Sequence, residues 1–258
     1  VSFFFAILQL FKGLLYIYMM INKGILFGNW TFKISVRLAK RLFRDSLPFY
    51  WLAIMTASTQ QLPKLFLFER SGVAELAIYN LAYRLVNPLM ILLWTSLTAA
   101  YPSLSRTGAN HDPLQFAEES KKLLFQIVYV GAISVVPIIL LRKEIIVLLF
   151  GAKYLDAATS LKYLCWYVVF FFFFSMIGTS FAANDRQGWL ALLSTLNSII
   201  WLPILWIGAG YGARGLSLSM VAGSFLIMGY SIIILQKSLY VSIPIRDFIL
   251  PGFVLIVG

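Results

Sequence analysis

Residues 157–183 read AATSLKYLCWYVVFFFFFSMIGTSFAA, an apolar run broken by one charge, Lys162. A helix rises about 1.5 Å per residue, so about 20 mostly apolar residues cross the roughly 30 Å of bilayer hydrocarbon. This run is long enough. Working outward, comparable runs occupy 1–21, 47–68, 76–97, 123–141, 189–208 and 216–235, and another begins near Ile245. Short polar connectors separate them, which predicts an all-α, polytopic membrane helical bundle and excludes a soluble fold. Composition agrees: 60% of the 258 residues are hydrophobic and 12% are charged, against about 25% charged in soluble domains. Mean hydropathy is +0.85.

The chain starts at Val1 inside one apolar run and stops at Gly258 inside another, so a fragment of a larger protein is expected. Run 1–21 lacks a basic leader and a small-residue cleavage site, and it reads as a mature helix rather than a signal sequence. The single Cys165 permits no internal disulfide, and the lone His111 permits no histidine-based metal cluster. No cofactor, metal or enzymatic activity is expected.

The connectors carry the charge unevenly. If the connector after the first run is cytoplasmic, twelve lysines and arginines fall on that side and six on the other: Lys64, Arg70, Arg142, Lys143, Lys153 and Arg214. Lys12, Arg84 and Lys162 are left at membrane depth. The bias fits the positive-inside rule and a multi-pass place in the cell (plasma or inner) membrane. It accounts for much of the net charge of +11 without nucleic acid, with anionic lipid as the simple partner. In the connector 23–45, Lys33, Arg37, Lys40, Arg41 and Arg44 recur at helical spacing beside Ile34, Val36, Leu38, Leu42 and Phe43. That pattern predicts an amphipathic helix in the headgroup layer. Ser46-Leu-Pro48 then supplies a cap and a first-turn proline, predicting a new helix start.

Polar side chains inside a spanning helix are costly unless they face protein or water, so they mark candidate pathways. Thr56, Gln60 and Lys64 share one face at i, i+4 and i+8. Asn80, Arg84 and Asn87 follow at i, i+4 and i+7, ahead of Pro88. Arg84 is permanently charged and its planar fork suits phosphate oxygens; the plainer alternatives are snorkelling or an ion pair with Glu69 or Glu75. Lys12 and Lys162 are weaker candidates for the same cationic cavity. The hydroxyls and amide of Ser175, Thr179, Ser180, Ser194, Thr195, Asn197, Ser198, Ser217, Ser219 and Ser224 read as helix-packing contacts. Run 170–174 reads as lipid-facing or core bulk. Residues 208–215, GAGYGARG, read as a short turn, since no strand precedes them and no lysine–hydroxyl pair follows.

Several local motifs follow one another along the chain. They are Arg44-Asp-Ser-Leu-Pro48, Ala77-Ile-Tyr-Asn-Leu-Ala-Tyr-Arg-Leu85, Tyr101-Pro-Ser-Leu-Ser-Arg106, Phe150-Gly-Ala-Lys-Tyr154 with Ala157 and Leu161, and Tyr211-Gly-Ala-Arg-Gly215. Together, over about three-quarters of the chain, they resemble the C-terminal half of a polysaccharide (O-antigen) flippase of the multidrug/oligosaccharidyl-lipid/polysaccharide exporter superfamily. Ala77 stands where that family usually has glycine. The resemblance implies two six-helix lobes around a cationic cavity that opens alternately to each side. On that register 1–22 is the last helix of the N-terminal lobe, 46–238 the C-terminal six-helix lobe, and 239–258 the start of an additional helix. The implied substrate is a polyprenyl-diphosphate-linked oligosaccharide moved to the outer leaflet, with the rest of the N-terminal lobe as partner and H+ or Na+ as a possible coupling ion. The alternatives are a multidrug cation antiporter of the same superfamily, a membrane glycan ligase or polymerase, and a non-transporting scaffold.

The charge bias yields a direct test in a chain made cysteine-free by Cys165→Ser. A cysteine replacing Lys122 should react with an impermeant reagent only from inside, and one replacing Lys153 only from outside. Labelling of both from one side overturns the orientation.

Overall fold

The computed structural model describes residues 18, 36–109, 113–184 and 187–239, and every element among them is helical. The expected helix 1–21 with Lys12, the connector residue Lys33 and the run from Ile245 lie outside the described residues, as do the side chains of Arg37 and Arg41. The chain forms two compact units, Val1–Leu47 and Pro48–Gly258. In the first, residues 36–47 are helical, with Lys40 and Arg44 exposed one turn apart and Phe43 exposed beside them. Helix is already present at Val36 and continues through Ser46-Leu-Pro48, where the sequence predicts a start. Ser46 Oγ donates to the Phe43 carbonyl at 3.2 Å, back into its own turn.

The first helix, α1 (Val36–Ala109), reverses on one residue. Gly72 has φ 83° and ψ −176°, with helix on both sides, a region of backbone space that is essentially glycine-only. The reversal is visible in side chains: Lys64 Nζ lies 5.0 Å from the Tyr83 ring centroid, whereas a straight helix would separate the two positions by about 28 Å. The connector expected between runs 47–68 and 76–97 is therefore a one-residue turn, and limbs 48–71 and 73–109 form a hairpin.

There follow α2 (Pro113–Leu140), the short α3 (Arg142–Phe150), a 3-10 turn at Ala152–Tyr154, α4 (Ala157–Ala183), α5 (Gln187–Ala209) and α6 (Gly212–Leu239). Among the described residues five helices are long and apolar enough to cross a membrane: α1 from Ala53, α2, α4, α5 and α6. Since α1 doubles back, it supplies two passes. The central rod is α4, apolar on all sides as a buried helix should be. It packs against α2, α5 and α6 and buries Phe172, Phe173, Met176, Ile177 and Phe181 almost completely. Run 170–174 is thus core, with its other three rings packed against that core.

Both ends of the bundle are tied by polar contacts, and those at the Gly72 end satisfy helix termini. At the Gly72 end, the Ala213 amide donates to Glu75 Oε2 at 2.7 Å, placing a carboxylate on the positive N-terminus of α6. Ser71 Oγ donates to the Ala209 carbonyl at 2.6 Å, and Arg70 lies 5.0 Å above the Trp206 ring while donating to the Trp206 carbonyl. Helices α5 and α6 meet closely at Gly208, where a Cβ would lie 2.8 Å from the Gly215 carbonyl oxygen, as small residues in membrane interfaces permit. At the opposite end, limb 73–109 runs through Pro102 to Ala109, and α2 begins ten residues before its apolar run. These extensions are joined by Ser103 Oγ donating to Glu119 Oε2 at 3.1 Å.

Gly72 has open space around it, so a Cβ there meets no atom within 4 Å and the cost of a side chain is conformational alone. Gly72→Ala should destabilise the bundle by about 1–3 kcal/mol, read as a lower thermal midpoint in detergent. Gly229→Ala, in a helical and equally open position, should leave the midpoint unchanged or raise it.

Candidate functional site

The hairpin sets the depth of the charged candidates. Positions equally far from Gly72 share a level, so Lys64 lies level with Asn80, Gln60 with Arg84, and Thr56 with Pro88 beside Asn87. The two polar faces read separately in the sequence thus fall at matching depths, a ladder along the hairpin. Lys64 is half-buried, its ammonium over the face of Tyr83, an arrangement that partly offsets lost hydration. Tyr83 in turn stacks on Tyr79 at 5.9 Å. Arg84, Gln60, Asn87 and Thr56 are exposed and Asn80 is half-buried. Glu75 is committed to the α6 amide, and among the described residues Arg84 makes no ion pair. Lys162 is half-buried near the start of α4, at the Gly72 end, and lines none of the cavities described below.

Besides a polar cleft of about 240 Å3 at the Gly72 end, lined by Glu75, Asp156 and Arg214 among others, a different part of the bundle holds a second enclosed space. A cavity of about 270 Å3 opens between both limbs of α1 and helices α4 and α5. It continues into a smaller one of about 30 Å3; the two share Thr59, Phe171, Phe174 and Asn197 as lining. The second limb contributes Trp94 and Tyr101. These lie seven and fourteen residues beyond Asn87 in sequence, so one slowly drifting stripe carries Asn80, Asn87, Trp94 and Tyr101. Of the six residues expected to bind substrate, Thr56 lines this cavity. Arg84, Lys64, Gln60, Asn80 and Asn87 are not among its lining residues and stand nearer the Gly72 end of the hairpin. On the other face of that limb, a groove of about 540 Å3 is lined by apolar residues plus Ser96 and Gln126, without convergent polar groups.

The cavity walls include hydroxyls that the sequence reads as packing contacts. Ser175, Thr179, Ser194 and Ser198 each donate to the carbonyl four residues earlier, and Thr59 donates to the Thr56 carbonyl. Such self-bonding lets a hydroxyl sit in an apolar helix. It also leaves the oxygen lone pairs available, so the wall is rich in acceptors. Thr195 plays a structural part, accepting a 2.8 Å bond from Trp51 Nε1 that fastens the first limb to α5. The signal available in the sequence was spacing: Ser175 and Thr179, and Ser194 and Ser198, each recur at i, i+4 and mark one face.

Helices of this length, a reversal at glycine and a bundle packed around an apolar central rod define a multi-pass helical membrane protein. The chain belongs to the polysaccharide biosynthesis protein family, whose model matches residues 5–159. No curated protein and no solved structure matches it. The matched stretch contains the α1 hairpin and α2, while most of the cavity wall from α4 and α5 lies beyond it.

With Cys165→Ser as background, Ser175→Cys and Thr179→Cys should react with a small charged thiol reagent, because both positions line the cavity. Ser180→Cys, whose site is buried in the core, should stay unlabelled. Equal protection of all three positions would mean the cavity is closed to water.

Proposed function

We propose that this protein carries a polyprenyl-diphosphate-linked oligosaccharide from the cytoplasmic to the outer leaflet for cell-surface polysaccharide export. Membership of a polysaccharide biosynthesis family supports the substrate class. The observation that carries the reading is the hairpin ladder: a permanently charged Arg84 without an ion pair among the described residues, level with Gln60 and a short distance from an amide- and hydroxyl-bearing cavity. An exposed guanidinium at membrane depth needs a compensating surface. In the two-lobe arrangement that the resemblance implies, this face turns toward the N-terminal lobe, and the vestibule between them receives the diphosphate on Arg84, with Lys64 behind it.

Transport then needs no covalent chemistry. The guanidinium fork takes diphosphate oxygens bidentately, polar side chains of the ladder accept the glycan, and the prenyl chain stays among lipid tails. The lobes rock to expose the headgroup on the other side, as in other transporters with a midplane site. A substrate of charge about −2 leaving a negative interior gains roughly 4–5 kcal/mol at about 100 mV, so the potential favours export, with H+ or Na+ as a further possible driver. The multidrug alternative is disfavoured because the charged side chains along the spanning hairpin, Lys64 and Arg84, are cations and not the carboxylates that would attract a cationic drug.

Translocation of a lipid-linked oligosaccharide by the purified full chain in vesicles tests this reading. Arg84→Ala should lower the rate at least roughly tenfold, the worth of a charge-assisted bond, and Arg84→Lys should keep part of it. Full activity in the alanine variant at normal abundance removes Arg84 from the pathway.

A further inference from the structure

The polar cleft of about 240 Å3 at the Gly72 end has no part in the transport reading. It is built where three helix segments begin, from Glu75 on the second limb of α1, Asp156 and Ser160 at the head of α4, and Tyr211 and Arg214 at the head of α6. Its charges are of both signs, and they do not close on one another. Asp156 stands at the N-cap of α4, where an aspartate commonly bonds a first-turn amide, yet its side chain makes no cap bond. Glu75 gives one carboxylate oxygen to the Ala213 amide. Among the described residues neither Asp156 nor Arg214 has an ion-pair partner, and both are exposed. Ser160 lines the same cleft at 1% exposure, and its Oγ has no hydrogen-bond partner, a condition that calls for an explanation.

The place of the cleft narrows its occupant. Spans Ala157–Ala183 and Gly212–Ile234 start beside it, so it lies where hydrocarbon gives way to lipid headgroups. Tyr211, exposed on its rim, is a residue that favours this boundary. The charges narrow the occupant further. An inorganic anion would meet Arg214 but face two carboxylates, and a divalent cation would meet the carboxylates but face a guanidinium. A quaternary amine has no N–H to donate. A primary ammonium joined to a phosphate matches both poles, its N–H groups meeting the carboxylates and its oxygens the guanidinium fork.

We infer that this cleft holds the phosphoethanolamine headgroup of a membrane lipid, with the ammonium against Asp156 and Glu75 and the phosphate against Arg214. A headgroup held there ties the starts of α4 and α6 to the hairpin. The site is apart from the Lys64–Arg84 ladder and stands whether or not the chain carries a glycan.

Four probes test it on the full chain in detergent, each read by the rise in thermal midpoint with concentration: dihexanoylphosphatidylethanolamine, dihexanoylphosphatidylcholine, glycerophosphoethanolamine without acyl chains, and calcium. The ethanolamine lipid should bind at least roughly tenfold more tightly than the choline lipid, the worth of a hydrogen bond to a charged group, and more tightly than the chainless headgroup, which buries no apolar surface. Asp156→Asn and Arg214→Gln, both at exposed positions, should each weaken the ethanolamine lipid roughly tenfold without moving the lipid-free midpoint. Lys153→Gln, a nearby cation outside the cleft lining, should leave binding unchanged. Equal affinity of the wild-type chain for the two lipids, or wild-type affinity for the ethanolamine lipid in both cleft variants, overturns the site. Equal affinity for the lipid and the chainless headgroup overturns the lipid as its occupant, and a calcium-raised midpoint that Asp156→Asn abolishes overturns the headgroup in favour of a metal ion.

Discussion

Hydrocarbon offers no hydrogen bonds, and this one constraint shapes the rest of the molecule. Every backbone amide must find its partner within the protein, which leaves helices as the building element. Each side-chain hydroxyl at membrane depth must be used or shielded. Ser175 and Thr179 of α4 and Thr195 and Ser198 of α5 meet the requirement by bonding to their own helix carbonyls. The helix termini meet it through Ser71 and Glu75, which reach from the hairpin to α5 and α6. Among the described residues a few buried polar atoms escape this rule, Ser160 Oγ, Asn197 Oδ1 and Trp201 Nε1 among them.

Two kinds of polarity are kept apart along the hairpin. Nearer the Gly72 turn lie Lys64, Arg84 and their amide neighbours, with the lysine held over an aromatic face instead of a carboxylate. Toward the other end, the same stripe of the second limb passes through Asn87 to Trp94 and Tyr101, and charge gives way to hydroxyls and rings. Such spatial separation limits mutual interference, since a cation lodged in the neutral wall would lose hydration and gain no partner.

The architecture was largely legible because hydrophobic length reports bilayer thickness directly. Run 157–183 coincides with α4, and the polar ladder at 56, 60, 64, 80, 84 and 87 was found by helical spacing alone. What spacing lacks is the third dimension. Gly72 gave no sign that a connector would shrink to one residue, because a left-handed glycine looks like any glycine in sequence. The helical extensions at 98–109 and 113–122 were missed for a related reason: they lie beyond the apolar runs, where length no longer signals structure. Ser175, Thr179, Ser194 and Asn197 resembled ordinary packing residues, and in their self-bonded hydroxyls they partly are. Only the approach of four helix segments around an open space separates lining from packing, and that depends on long-range contacts such as Trp51 with Thr195.

The most direct measurement compares the two membrane leaflets in cells with and without this protein, using mass spectrometry of lipid-linked glycans after selective labelling of the outer surface. Transport by this bundle requires that, without the protein, a diphosphate-linked glycan accumulates on the cytoplasmic leaflet and disappears from the outer one. An unchanged distribution between leaflets, with export intact, would contradict the account.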